Sequence, residues 1–213
     1  MQGLIELYKN EEAQKIFSES NLLSLLVHEL SISKEKKIYE NNELVIQHTK
    51  SEETVCYIID GAVSVEHEDA ILYFMGKKRF LGLESLLFQA PSHLRIKARG
   101  TTEVWEFKKI EVMTLLMSLQ EGWLYGYLIT QNILNKILGN LQFMHVPPLE
   151  RGQAMLRELV MELGQKQGDT YHLSKQFNYE LLTNYLQVSR PTMKKIVTAL
   201  SEERIQLGYR KKH

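Results

Sequence analysis

The pattern of apolar and polar positions divides the chain into segments of different structure. Apolar residues at helical spacing predict two short helices, Leu4 to Phe17 and Asn21 to Leu30. From Lys37 to about Lys108 the chain consists of short runs rich in β-branched and aromatic residues, separated by turn-prone stretches such as Asp60-Gly61. Many short strands at regular spacing favour an antiparallel roll or barrel over alternating strand and helix units.

A long helix is predicted next. Helical spacing resumes at Glu111 and continues to about Met144. Along this segment apolar or aromatic residues recur four and three positions apart, with a polar break at Thr130, which is the spacing of paired helices. A seam of about three heptads favours pairing with a second copy of the helix, so we expect a homodimer; burial on its own domain is the alternative. The predicted seam contains Trp123, Tyr127, Thr130, Leu134, Ile137 and Leu141.

The carboxyl-terminal part is predicted to be a separate unit. The sequence His145-Val146-Pro147-Pro148 ends the long helix, because a residue before proline is pushed out of the α region, and we interpret it as a hinge. Beyond it we expect a helix over Leu149 to Gln165 and a short strand over Thr170 to Leu173. A helix over Asn178 to Leu186 and a tight turn at Gln187-Val188 then lead into a last helix.

This last helix begins near Ser189. The Ser189 hydroxyl can accept a hydrogen bond from the N–H of Thr192, and Pro191 in the first turn loses no hydrogen bond. If the proline stood at the first helical position, Arg190 would be the cap instead. One face must pack inward, and it carries Met193, Ile196, Val197 and Leu200. The opposite face and its flanks carry Arg190, Pro191, Lys194, Lys195, Thr198 and Glu202.

The distribution of charge indicates nucleic acid as the partner of this helix. The whole chain has 26 basic and 26 acidic residues, and so no net charge. From Val188 to the end, seven lysines and arginines stand against two glutamates, a net charge of +5. A helix that presents cations and small polar residues from its first turns fits a major groove, where arginine reads guanine and lysine, serine or threonine hold phosphates. A solvated basic face is the alternative.

The rest of the composition excludes several other classes of protein. Cys56 is the only cysteine, which excludes an intrachain disulfide, a multi-cysteine metal site and an iron–sulfur cluster. No catalytic carboxylate pair or nucleophile with its base stands out, so we predict no enzyme, metal or cofactor. A cupin-type metalloenzyme would need two histidines one residue apart, and His48 has no such neighbour. With no signal peptide and no window long enough to span a membrane, we expect a cytoplasmic protein.

Taken together, these motifs resemble the Crp/Fnr superfamily of bacterial transcription regulators, in order along nearly the whole chain. The segments that carry the resemblance are Tyr57 to Val63, Phe80-Leu81-Gly82, Ala98, Glu103-Val104, Ser189 to Ile196 and Leu200 to Ile205.

The resemblance implies an α+β fold in three parts. Residues 1–110 would form an antiparallel, jelly-roll-like sensor β-roll with amino-terminal helices, residues 111–145 a long dimerisation helix, and residues 146–213 a winged helix-turn-helix. From Ile205 the chain supplies one strand, a turn and a basic tail, so the wing is minimal or truncated. Such a homodimer would bind a palindromic operator in double-stranded DNA, act with RNA polymerase and respond to a possible small-molecule effector. The alternative is a sensor that acts through a protein partner without binding DNA.

The resemblance also assigns roles within the last helix. Arg190 and Lys195 match base-contacting positions, whereas Ser189 and Thr192 match phosphate contacts, and Lys194 adds a further cation. Pro191 stands where cyclic-AMP-responsive members carry a base-reading glutamate, so the operator is expected to differ from theirs. Gln187 replaces a turn glycine.

The sensor domain departs from the nucleotide-binding members, in which a glutamate binds the ribose and an arginine the cyclic phosphate. Leu83 takes the place of the glutamate and Ser92 that of the arginine. Because a buried phosphate without a paired cation is costly, we do not expect control by cyclic AMP or cyclic GMP. Strand alternation predicts an inward row of Ser92, Leu94, Ile96 and Ala98 and an outward row of His93, Arg95, Lys97 and Arg99. The predicted effector pocket contains Gly82, Leu83, Glu84, Ser85, Ser92 and Leu94.

Overall fold

The computed structural model describes residues 10–47, 54–83 and 94–207. Two short helices, α1 (Asn10–Ile16) and α2 (Glu19–His28), come first, so both amino-terminal helices are confirmed for the described residues. Ser18 caps α2, since its hydroxyl accepts a hydrogen bond from the Asn21 N–H at 3.3 Å.

Eight strands in the described part of the chain form the predicted antiparallel β-roll. They are β1 (Lys34–Tyr39), β2 (Leu44–Gln47), β3 (Thr54–Asp60), β4 (Ala62–His67), β5 (Ala70–Gly76), β6 (Phe80–Leu81), β7 (Leu94–Ala98) and β8 (Thr102–Lys108). One sheet has the order β1-β8-β3-β6 and the other the order β2-β7-β4-β5. All the pairings within these two sheets are antiparallel.

Apolar side chains fill the space between the two sheets. On β4, Val63 and Val65 face this interior, and they meet Ile96 and Ala98 of β7 there. The inward row predicted for β7 is therefore confirmed at these two positions. Cys56 is fully buried in the same cluster, as its apolar surroundings in the sequence indicate.

The single helix predicted from Glu111 to Met144 is instead two helices. They are α3 (Lys109–Ser118) and α4 (Trp123–Gln142), and Phe143–His145 adds one 3₁₀ turn before the prolines. The chain leaves the helical path at Leu119 and returns through Gly122. A Cβ at Gly122 would lie 2.0 Å from the carbonyl oxygen of Leu116, so only glycine fits at this corner.

The carboxyl-terminal unit contains the predicted helix pair and a small sheet. Its elements are α5 (Pro148–Leu163), β9 (Gln165–Gln167), β10 (Thr170–Leu173), α6 (Tyr179–Leu186), α7 (Arg190–Glu202) and β11 (Ile205–Leu207). The sheet order is β11-β10-β9, with β10 antiparallel to β9 and parallel to β11. The turn and basic tail predicted after β11 lie outside the described residues.

The β-roll packs directly on this carboxyl-terminal unit. Phe74 of β5 makes edge contacts with Phe177 and Tyr185, with ring centroids 5.2 Å and 4.9 Å apart. Burial raises the pKa of Tyr185 to about 12, so this phenol stays neutral. Lys136 of α4 donates to Glu162 of α5 at 2.6 Å and also to the Phe74 carbonyl oxygen. Burial lowers the pKa of Lys136, while the charge of Glu162 opposes that shift.

Arg99, in the outward row predicted for β7, does lie on the outer face of the sheet beside Ser64 and Glu66 of β4, but it is not exposed to solvent. Its side chain is buried, with 7% of the residue exposed, and it forms an ion pair with the equally buried Glu66 of β4. Ala62 and Phe74, on the same sheet, pack against the carboxyl-terminal unit, and a Cβ at Gly100 would lie 2.7 Å from Gln176. This face of the roll is therefore an internal interface, which strand alternation alone does not reveal.

Candidate nucleic-acid interface

The start of α7 is fixed by a side-chain cap. The Ser189 hydroxyl accepts a hydrogen bond from the Thr192 N–H at 3.3 Å, and the two hydroxyls lie 2.9 Å apart. The first helical residue is Arg190, so the cap is Ser189 and Pro191 stands within the first turn. Of the two caps compatible with the sequence, the structure has the serine.

The inner face of α7 sets its rotation. Met193, Ile196 and Leu200 are fully buried in the core of the carboxyl-terminal unit. A Cβ at Gly152 of α5 would lie 2.3 Å from the Cδ1 of Ile196, so this glycine allows the two helices to approach closely. Gly152 could not be recognised from the sequence, because a glycine within a helix does not indicate by itself which neighbour approaches it.

The opposite face of α7 is exposed, and we call it the reading face. It consists of Arg190, Pro191, Lys194, Lys195 and Thr198. Within the described residues, no acidic side chain forms an ion pair with any of its three cations. Glu203, just beyond the other end of α7, is engaged by Arg157 at 2.6 Å, and this bond lowers the pKa of the Glu203 carboxyl. The reading face is therefore a compact group of available positive charge.

The helix pair is held together beside this face. The Tyr179 hydroxyl, in the first turn of α6, donates a hydrogen bond to the carbonyl oxygen of Arg190. Asn178 caps α6 by accepting from the Leu181 N–H at 2.9 Å. These contacts fix the position of the first turn of α7 relative to α6, which a helix that enters a groove requires.

Gln187 lies in the turn between α6 and α7 with φ of +50°. A left-handed conformation costs a residue with a Cβ about 1 kcal/mol relative to glycine. We expect Gln187→Gly to raise the free energy of unfolding of the carboxyl-terminal unit by about 0.5–1 kcal/mol. Chemical denaturation would measure the change. Gln187→Ala is the control, because it keeps the Cβ and should give no gain; an equal gain in both variants would contradict this account.

The predicted seam on α4 is mostly exposed. Trp123 is 59% exposed and its ring lies 6.0 Å from that of Tyr127, which is also exposed. Thr130, Leu134 and Leu141 continue the same exposed face. Ile137 differs from this prediction, because it is half-buried and packs against the interior of the β-roll. Its neighbour Leu138 is 51% exposed.

The predicted effector pocket is only partly within the described residues. Gly82 follows β6 and has φ of +87°, a left-handed conformation that glycine adopts at little cost. Leu94 is half-buried. Leu83 is buried in the apolar cluster that contains residues of α2, α3 and α4, so its side chain belongs to the core. Glu84, Ser85 and Ser92 lie outside the described residues.

In the described part of the chain, no group of three or more histidine, cysteine, aspartate or glutamate side chains could hold a metal ion. None of the described helices combines the length and apolar character that crossing a membrane requires.

Comparison with known proteins agrees with this architecture. Residues 36–118 match the family model of the cyclic nucleotide-binding domain. A search of curated protein sequences found no match.

Solved structures match nearly the whole chain. A cyclic nucleotide-binding domain containing protein from Listeria monocytogenes is 19% identical, with a TM-score of 0.69 over 86% of this chain and 90% of that one. FixK2 from Bradyrhizobium japonicum is 19% identical, with a TM-score of 0.67 over 80% and 86% of the two chains. CLP, a c-di-GMP-responsive global regulator from Xanthomonas campestris, is 16% identical, with a TM-score of 0.64 over 86% and 92%. The chain thus has the fold of these solved structures, and its residues 36–118 are similar to the cyclic nucleotide-binding domain family.

Proposed function

We propose that this protein is a homodimeric, sequence-specific DNA-binding transcription regulator. The observation that carries the proposal is the reading face of α7, whose three cations stand free of acidic partners among the described residues. Each subunit places the start of α7 in one major groove, and two half-sites lie about 34 Å apart on a palindromic operator. RNA polymerase is the proposed partner at the promoter.

The exposed seam on α4 supports the dimer. Exposed aromatic and aliphatic side chains in one row, from Trp123 to Leu141, form the kind of apolar surface that a second subunit covers. Pairing along this row joins two chains through an isologous interface, and a palindromic operator mirrors that two-fold symmetry.

Arg190→Ala should weaken binding to the operator by about 1–3 kcal/mol, roughly 5- to 150-fold, because arginine pairs bidentately with guanine. The operator is first selected from a random DNA library, and affinity is then measured by mobility shift on the selected and on random DNA. The loss should be confined to the selected sequence. An equal loss on both DNAs would make Arg190 a phosphate contact only.

Arg204→Ala is the matched control. This arginine follows α7 in the same unit, and Asp169 neutralises it at 2.9 Å. We expect its removal to leave the preference for the selected sequence unchanged.

We further propose that cyclic AMP does not control DNA binding. The sequence offers Leu83 and Ser92 where the nucleotide-binding members have their ribose and phosphate contacts, and the Leu83 side chain lies in the core. Calorimetry with cyclic AMP and cyclic GMP should detect no micromolar binding to the purified protein. Micromolar binding of either nucleotide would overturn this part of the proposal.

A further inference from the structure

A cavity of about 460 Å³ lies on the amino-terminal side of the β-roll. Three elements enclose it: the start of α2, the turn between β5 and β6, and the middle of α4. Its volume falls within the range of small-molecule sites. We call it the N-terminal cavity, and none of its described lining residues belongs to the effector pocket predicted from the sequence.

The lining of the N-terminal cavity is positively charged. Lys77, Lys78 and Arg79 are consecutive and all face it. Arg79 pairs with Glu19 at 2.7 Å, while the two lysines have no ion-pair partner among the described residues. Glu19 is the one acidic residue among the described lining residues, so these four side chains have a net charge of +2.

Two further features of the lining favour an anion. Ser18, Glu19 and Ser20 belong to the start of the ten-residue helix α2, where backbone N–H groups carry a partial positive charge. Lys78 has φ of +66°, a conformation that glycine would adopt at lower cost. Lys78 therefore adds a second positive charge to the lining, although its backbone conformation is strained for a residue with a Cβ.

The apolar part of the lining comes from Phe17, Leu128 and Ile129. Projected down the axis of α4 at about 100° per residue, Leu128 lies roughly 100–120° and Asn132 roughly 140–160° away from the seam residues Tyr127 and Leu134. A second subunit paired along the seam would therefore leave the cavity open to solvent.

We propose that the N-terminal cavity binds a small phosphorylated metabolite. Two unpaired lysines and a helix start supply the cations and N–H donors that a phosphate group requires, and the apolar wall accommodates the rest of the molecule. The phosphate lies between Lys77, Lys78 and the start of α2.

The N-terminal cavity lies close to residues that contact the carboxyl-terminal unit. A smaller neighbouring cavity shares Glu19, Arg79 and Asn132 with it and extends to Lys136 and Glu162. The Lys136–Glu162 ion pair joins α4 to α5, so a phosphate that draws Arg79 away from Glu19 changes the charge beside this joint. Any effect on DNA binding rests on the proposed function, whereas phosphate binding itself does not.

Calorimetry of the full chain with inorganic pyrophosphate at low ionic strength tests the proposal. We expect saturable binding at one site per chain. Lys77→Gln/Lys78→Gln should weaken it about tenfold or more, because a hydrogen bond between charged groups contributes at least that factor. Thermal unfolding of the variant verifies that it is folded.

The matched control removes two adjacent lysines from the reading face, in Lys194→Gln/Lys195→Gln. This variant should keep its affinity for pyrophosphate and lose affinity for DNA, whereas Lys77→Gln/Lys78→Gln should behave in the opposite way. If pyrophosphate binding is lost with the reading-face lysines and retained without Lys77 and Lys78, the proposal is overturned. Absence of pyrophosphate binding to the unaltered protein at millimolar concentration overturns it as well. DNA binding and pyrophosphate binding are measured separately, so a failure of the proposed phosphate site can be told apart from a failure of the proposed DNA binding.

Discussion

Leu134→Glu should convert the dimer into a monomer at micromolar concentration. Leu134 lies at the centre of the exposed row on α4, so in a symmetric pair each Leu134 meets the partner helix near its own copy. Two glutamates buried there without cations would cost about 3–5 kcal/mol, which raises the dimer dissociation constant by roughly two to four orders of magnitude. Sedimentation velocity over a concentration series would measure the change.

DNA affinity should fall together with the dimer. A dimer places two copies of α7 in successive major grooves, whereas a monomer engages only one half-site. We therefore expect Leu134→Glu to lose most binding to the palindromic operator and to retain only weak binding to a single half-site, as mobility shift would show.

Asn135→Glu is the matched control for this experiment. Asn135 is the next residue on α4, is also exposed, and points away from the row at about 100° per residue. It introduces the same charge and should leave both the dimer and its DNA affinity intact. If the unaltered protein is a monomer, or if both variants weaken the dimer equally, the row on α4 is not the dimer interface.

Sequence periodicity predicted the orientation of α7 correctly because that orientation is a local property. Met193, Ile196 and Leu200 recur at helical spacing, so burying them decides which residues remain outside. The cap at Ser189 is local in the same sense, since donor and acceptor are three residues apart.

The break between α3 and α4 was missed because the helical spacing of apolar residues continues across it. Nothing in the segment from Leu119 to Gly122 is as disruptive as a proline, and a glycine within a helical pattern is an ambiguous signal. The requirement for glycine arises only when the chain turns back toward the Leu116 carbonyl oxygen.

Arg99 shows a second limit of the sequence pattern, because its burial comes from long-range packing. The alternation along β7 predicted correctly that Ile96 and Ala98 point inward. It also placed Arg99 on the other face, but it could not show that the carboxyl-terminal unit covers part of this face through Ala62 and Phe74. Such docking joins residues about 100 positions apart, so a local pattern carries no information about it.

Arg99→Met should lower the free energy of unfolding by about 1–3 kcal/mol at neutral pH, since it removes one of the two cations that pair with a buried carboxylate. Arg99 donates to Ser64 at 2.8 Å, to Asn42 and to Glu66. Lys97 remains 2.9 Å from Glu66 in the variant, and it limits the loss. Chemical denaturation of the full chain would measure the change.

Glu66→Gln and the double variant Glu66→Gln/Arg99→Met complete a double-mutant cycle. If the two side chains stabilise the fold mainly through each other, the double variant should lose clearly less stability than the two single losses added together. Additive losses would mean that Arg99 acts through Asn42 and Ser64 alone.

The contribution of the pair should also depend on pH in a defined direction. Burial by itself would raise the pKa of Glu66, but hydrogen bonds from Lys97 and Ser64 and the charge of Arg99 outweigh it, so the pKa is lowered. A depressed carboxyl pKa gives stability that is complete above the ordinary glutamate value of about 4.3 and is lost as the pH falls through the folded-state value. The difference in stability between the unaltered protein and Arg99→Met should therefore be largest at pH 7 and shrink as the pH falls through the folded-state pKa of Glu66, where the carboxyl becomes protonated. A difference that stays constant across this range would show that Arg99 stabilises the roll by packing and neutral hydrogen bonds, and that the ion pair with Glu66 contributes little.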